Sequence, residues 1–137
     1  MAFKVFLDAN ILLEHSLGRK NFSDVRQIFV LIEDGSLSAF TTTSVIQTCG
    51  YLLLKEYGDK TTREILLNLL SLITIIDCRH EIVILALNSA ISDPEDAIQY
   101  YTALDHHMDY FVSLDKKLAK EAIPMLPVYS PEEFLAL

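Results

Sequence analysis

The chain alternates short apolar runs, rich in β-branched and aromatic residues, with segments of helical length, and this alternation narrows the possible folds more than any other feature of the sequence. The runs are Phe3-Lys4-Val5-Phe6-Leu7, Leu37 to Thr41, Ile73 to Ile76, Tyr110 to Leu114 and, more weakly, Met125 to Tyr129. Between them, Phe22, Val25, Ile28, Phe29 and Ile32 recur with helical periodicity, predicting a helix from Ser23 to Glu33 that Asp34-Gly35 stops. Val45, Cys49, Leu52 and Leu53 form the stripe of a helix from Ser44 to Glu56 that ends near Gly58. Thr61-Thr62-Arg63-Glu64 then has the form of a capping box opening the next helix. Arg79 to Ile91 and Pro94 to His107 complete the series. Parallel strands need helical crossovers, and those crossovers are right-handed. The pattern therefore predicts an α/β fold, a three-layer α/β/α sandwich with a central parallel sheet.

With 137 residues, 51% of them hydrophobic, the chain has the size of one domain covering residues 1–137 and can bury roughly two thirds of its unfolded surface without a disulfide or structural metal. Cys49 and Cys78, far apart and with no export signal at the start MAFKVFLDAN, read as reduced and buried. No apolar run approaches the roughly 18 residues of a membrane span, so a cytoplasmic protein with no membrane association is expected. Eleven Lys and Arg against nineteen Asp and Glu give a net charge of −8. Such a field repels nucleic acid, so a polyanionic substrate needs a divalent cation, a local basic patch or a partner.

In open α/β folds ligands bind beyond the carboxyl ends of the strands, and the acids there are informative. Asp8, followed by Asn10, ends the first strand; Asp115 follows the fourth; Asp93, Glu95 and Asp96 flank Pro94 at a helix start. Asp8, Asp96 and Asp115 are thus placed to converge. Three carboxylates at close range do not all stay ionised without a cation, and oxygen-only ligation, with Asn10 and Ser113 as supporting donors, suits Mg2+ or Mn2+. Structural roles compete with this reading. Asp93 can cap the helix, Glu95 and Asp96 favour its positive end, and Asp115 beside Lys116 and Lys117 can cap the next turn. Glu14 reads as a capping or surface residue, Asp105 and Asp109 as solvated on the opposite edge, and His15, His80, His106 and His107 as surface histidines without metal spacing. No glycine-rich phosphate loop, serine elbow or Cys–His pairing is present.

The chain resembles, over nearly its whole length, the PIN domains, metal-dependent ribonucleases that include the VapC-type toxins of toxin–antitoxin pairs. Asp8 and Asn10 match the family's strand running into Asp-x-Asn. Asp93-Pro94-Glu95-Asp96-Ala97-Ile98-Gln99 matches its Asp-Phe-Glu-Asp-Ala-type signature, and Ser113-Leu114-Asp115 its Thr-x-Asp or Thr-x-Asn. The resemblance implies that Asp8, Asp96 and Asp115 are the catalytic and metal-site acids. It makes Glu95 an additional ligand and Asn10 and Ser113 supporting groups. One position departs. Many members carry a glutamate one turn into the helix after strand two, where Thr43 to Cys49 offers only Gln47 or Thr48. Fewer carboxylates mean weaker metal binding. The implied function is hydrolysis of RNA phosphodiester bonds with Mg2+ or Mn2+ by the toxin member of a pair. A small antitoxin and a second copy of the chain are the implied partners, and Tyr51 to Leu54 is a segment available for self-association. The alternative is a catalytically degenerate PIN-like module that binds RNA or protein. A phosphotransfer domain would want an aspartate where Asn10 stands.

Overall fold

A computed structural model describes residues 2–137. Its elements run β1 Phe3–Leu7, α1 Ala9–Leu17, α2 Phe22–Glu33, β2 Leu37–Thr41, α3 Thr43–Leu70, β3 Ile73–Ile75, α4 His80–Leu87, α5 Pro94–Asp105, β4 Tyr110–Val112, α6 Lys116–Glu121, β5 Val128–Tyr129 and α7 Pro131–Leu135. The five strands form one sheet in the order β3-β2-β1-β4-β5, and every pairing is parallel. From β1 the chain steps outward to β2 and β3, then crosses back to β4 and β5. Right-handed crossovers therefore put α1 to α3 on one face and α4 to α6 on the other. The strand order reverses between β1 and β4, so the crevice of an open sheet falls at their carboxyl ends.

Val5, Phe6 and Leu7 of β1 and Phe111 and Val112 of β4 are completely buried. That is why these two strands read as continuous apolar runs rather than as an alternation. Side chains nevertheless point to opposite faces in turn. Phe6 is in register with Phe111, their rings stack at 4.7 Å, and the Tyr100 ring of α5 lies 5.8 Å from Phe111. Even-numbered residues of β1 and odd-numbered residues of β4 thus face α5.

Several sequence expectations are corrected by packing. The break in α3 lies at Gly58, whose φ of 77° and ψ of 176° no other residue adopts without strain. The two arms fold back on each other, since a Cβ on Gly50 would stand 3.4 Å from Leu66. Thr61 to Glu64 is no capping box: helix resumes directly after Gly58, the hydroxyl of Thr62 is buried without a partner, and Asp59 pairs with Arg63 at 2.7 Å. Gly58→Ala should cost about 1–3 kcal/mol, from backbone strain alone because nothing lies within 4 Å of the added carbon. Urea unfolding checks this as a lower midpoint at unchanged slope.

Helix α4 stops at Leu87 rather than Ile91 because the side chains of Asn88 and Ser89 donate to the carbonyls of Ile84 and Ala86. Helix α5 ends two residues early, before His107 takes a left-handed φ of 58°. Cys78 is exposed, not buried. His15 is not a surface histidine: its ring stacks on Phe29 at 3.9 Å. Asp105 is bound by Arg79 at 2.7 and 3.1 Å, and Asp109 accepts from the Lys4 amide at 2.7 Å.

Candidate active site

The register of the sheet explains how the acids meet. Continued one step past the strands, it sets Thr42, Asp8 and Ser113 in a row across the carboxyl ends of β2, β1 and β4, all on the α5 side. Two contacts mark the row. The Ser113 hydroxyl donates to Asp8 Oδ2 at 2.8 Å, and the Asp8 amide donates to the Val112 carbonyl at 3.2 Å. Asp8 is 9% exposed, and its Oδ1 accepts from the Ala9 amide at 2.8 Å, capping α1. Burial raises its carboxyl above the ordinary value, opposed by Ser113 and the Ala9 amide and reinforced by the charges of Asp115 and Glu95.

Helix α5 begins over this row. Pro94 occupies its first turn, and Asp93 caps it by accepting from the Asp96 amide at 3.1 Å. Asp96, half-buried, is pushed up to about 7, first by burial, then by a hydrogen bond with Asp115 and by the charges of Asp8 and Asp93. Burial works against ionisation of Asp115 as well. The Leu118 amide, the Asp96 hydrogen bond, the Lys117 amide and the Lys117 charge outweigh it and hold Asp115 below its ordinary value. Asp115 therefore caps α6, through Oδ1 at 2.9 and 3.1 Å, and also faces Asp96.

The structure brings Asp8, Asp96, Asp115 and Ser113 together, with Glu95 exposed at the margin. Among the described residues no side-chain hydrogen bond ties Asn10, Gln47 or Thr48 to these acids; Asn10 and Gln47 are exposed and Thr48 is half-buried. From α3, the Cys49 thiol donates to the Ala9 carbonyl at 3.7 Å and is pushed up to about 12 by burial and by the Asp8 charge. Glu14, though buried, serves the fold by accepting from the Asn21 amide at 2.9 Å.

A carboxyl group hydrogen-bonded to a carboxylate keeps a proton between them. The donor set of hard oxygens with one retained proton fits a divalent cation taking that proton's place. As the side chains stand, no three His, Cys, Asp or Glu among the described residues surround a common point closely enough to hold an ion. Ligation therefore needs these side chains to move from where they stand. A cavity of 290 Å³ opens on Asp93, Asp96, Asp115, Lys117 and Glu121. A groove of 650 Å³ on the other side of Asp115 is lined by Lys20, Lys116 and Lys120 and also by Glu132 and Glu133.

The tie made by Gln99, the last residue of the Asp93 motif, escaped the sequence reading. Thr42, Gln99 and Ser44 form a hydrogen-bonded chain between α3 and α5, buried at Thr42 and Gln99 and open to solvent at Ser44. Its signal was present in the polar Gln99 next to Tyr100 and four residues before Ala103 on a buried helix face, but its partner lies 57 residues away.

The fold is shared with solved structures of low sequence identity. VapBC2 from Rickettsia felis, bound to a promoter DNA fragment, superposes with a TM-score of 0.71 at 14% identity, covering 93% of this chain and 98% of that one. VapC20 from Mycobacterium tuberculosis, described as a sarcin-ricin loop cleaving toxin, gives 0.67 at 11%, covering 90% and 98%. A toxin–antitoxin complex from Klebsiella pneumoniae gives 0.69 at 21%, covering 93% and 97%. Among curated proteins none matches in sequence. The PIN domain model matches residues 4–117, from the first strand and its Asp8 through the Asp115 cap of α6, and the chain belongs to the PIN domain family.

Proposed function

We propose that the chain is a Mg2+- or Mn2+-dependent endoribonuclease and the toxin member of a toxin–antitoxin pair. The convergence of Asp96 and Asp115 on one cavity, beside the buried Asp8, is the observation that carries this reading. An acid kept protonated near neutrality by burial and by its acidic neighbours is a site where a cation gains free energy by displacing the proton. Asp8, Asp96 and Asp115 would hold the ion, with Glu95 as a further ligand. A bound divalent ion supplies charge neutralisation at a phosphate and a more acidic water for attack at phosphorus. Ser113 fixes the Asp8 carboxylate by its hydrogen bond, and the capping bonds fix Asp115. Lys20, Lys116 and Lys120 line the adjoining groove, where they offset the overall charge of −8 and steer an RNA backbone toward Asp115.

The likeness to the Klebsiella complex supports an antitoxin as partner. Tyr51 and Leu54, 62% and 48% exposed on either side of the buried Leu53, supply an apolar face for self-association. Cytoplasmic location is part of the same proposal; among the described residues no helix is long and apolar enough to cross a membrane. A second reading, a module that has lost catalysis, is favoured by the exposed, uncharged Gln47. An RNA cleavage assay separates them. Cleavage that EDTA stops and Mn2+ restores supports the nuclease; intact RNA at every Mn2+ concentration favours the module.

The carboxyl shifts also fix a pH dependence. Asp96 titrates near 3.8 when unfolded and about 7 when folded, so the folded state holds the extra proton. Its contribution to stability is complete below about 4 and lost as pH rises through about 7; Asp8, also raised, acts with the same sign. Asp115, lowered, acts oppositely, but on acidification below its ordinary value. Metal-free protein should therefore melt lower at pH 7.5 than at pH 5.5, and Mn2+ should raise the melting temperature more at pH 7.5. Differential scanning calorimetry reads both, and a melting temperature indifferent to pH across this interval would contradict the arrangement.

A further inference from the structure

On the proposed metal-binding reading, we infer that Gln99, tied to Thr42 and Ser44, is a positioning residue that sets where Asp96 stands over Asp8. Gln99 is 3% exposed and Thr42 4%. The Thr42 hydroxyl donates to Gln99 Oε1 at 2.6 Å while accepting from the Val45 amide at 3.2 Å, and Gln99 Nε2 donates to Ser44 Oγ at 2.8 Å. One amide thus joins α5 to the capping turn of α3.

The connection acts on the site through helix geometry. At about 100° per residue, Gln99 and Tyr100 lie about 60° and 40° to either side of the direction in which Asp96 projects, one turn further along. Both are anchored, to opposite neighbours. Tyr100 donates its hydroxyl to the Leu126 carbonyl at 2.6 Å and accepts from the Ile123 amide at 2.9 Å. Gln99 holds the other flank to Thr42, which stands in the same register row as Asp8. Rotation or sliding of α5, which would carry Asp96 away from Asp8, must break one anchor or the other.

Leu or Met would fill the place of Gln99 without an amide to desolvate, and replacing a buried hydrogen-bonded pair by apolar groups of similar shape is often nearly neutral for stability. The directional tie has an effect that apolar packing lacks: it fixes a helix face to a fraction of an ångström. Groups hydrogen-bonded directly to metal ligands typically change metal affinity 10- to 100-fold when removed, and a tie one step further out acts at the lower end of that range.

The test is a calorimetric titration of Mn2+ into the full chain and four variants, each with its melting temperature. Gln99→Met should weaken Mn2+ binding at least tenfold, and Gln99→Met/Thr42→Val equally, although the double variant leaves no buried hydroxyl unpaired and loses, besides the tie, only the cap on the Val45 amide. Thr42→Ser keeps the hydroxyl and should bind within about twofold of wild type. Ser44→Ala, at an exposed position that does not endanger folding, should weaken binding a few-fold. If Gln99→Met and Ser44→Ala bind Mn2+ as tightly as wild type and only the melting temperature moves, Gln99 is structural and the inference is overturned while the metal site stands. If wild type itself binds no Mn2+, the metal-site reading falls and the inference with it.

Discussion

Asp96→Asn is expected to cleave RNA at least 10³-fold more slowly than wild type at saturating Mn2+ while melting, at pH 8 where Asp96 is ionised, at a higher temperature in the absence of metal. The two effects come from one cause. Asn keeps the shape of the side chain but carries no charge, so the repulsion among Asp8, Asp93, Asp96 and Asp115 in a partly desolvated crevice is relieved. The same neutralisation removes an anionic ligand, and loss of one strong electrostatic group in a site of this kind costs about 4 kcal/mol of transition-state stabilisation, or 10³-fold in rate. Asp8→Asn should lose activity similarly, since Asp8 sits deepest, with Ser113 and the Ala9 amide already assigned to its two oxygens. Single-turnover cleavage alongside thermal melts in EDTA measures both. An Asp96→Asn protein that cleaves at the wild-type rate, or that melts lower than wild type without metal, would refute this account of the crevice.

Phe111→Ala should carry the largest stability cost among conservative truncations near the site, about 3–5 kcal/mol. Phe111 is fully buried, stacked on Phe6 and tilted against Tyr100, so it connects β1, β4 and α5 at their common contact. Deleting the ring leaves a cavity that β4, a strand of three residues held between β1 and β5, cannot collapse to fill. For a domain of this size the loss corresponds to a fall of roughly 10–20 °C in melting temperature. Ser113 and Asp115 follow Phe111 on the same strand end, so the variant should also bind Mn2+ more weakly even where it remains folded. Urea unfolding followed by circular dichroism reads the stability; a midpoint within error of wild type would mean that the ring is not part of a packed core.

The strands were legible because β1 and β4 are buried on both faces, and burial on both faces writes an unbroken apolar run into the sequence. Asp8 was legible for a related reason: an acid ending such a run must find partners or remain costly. Helix ends were less so. Asn88 and Ser89 end α4 by bonding back to its carbonyls, a competition that composition alone does not rank. His15 and the Thr42–Gln99 pair were hidden for a different reason. Their burial depends on segments brought together only by the tertiary fold, Phe29 in one case and the register of β2 with β1 in the other. The family pattern anticipated a contribution from α3 at Gln47 or Thr48. The helix instead presents Cys49 to the Asp8 turn and leaves Gln47 exposed, because Val45, Cys49 and Leu53 are its buried stripe.

On the proposed reading, the crevice between β1 and β4 takes a divalent cation in place of the proton held by Asp96. Proton release on titration with Mn2+ at pH 6.5, followed as the dependence of calorimetric heat on buffer ionisation enthalpy, tests it most directly. Binding should release a net fraction of a proton in wild type, and that release should vanish in Asp96→Asn. Saturable binding with no proton release, or no binding by wild type at all, would contradict it.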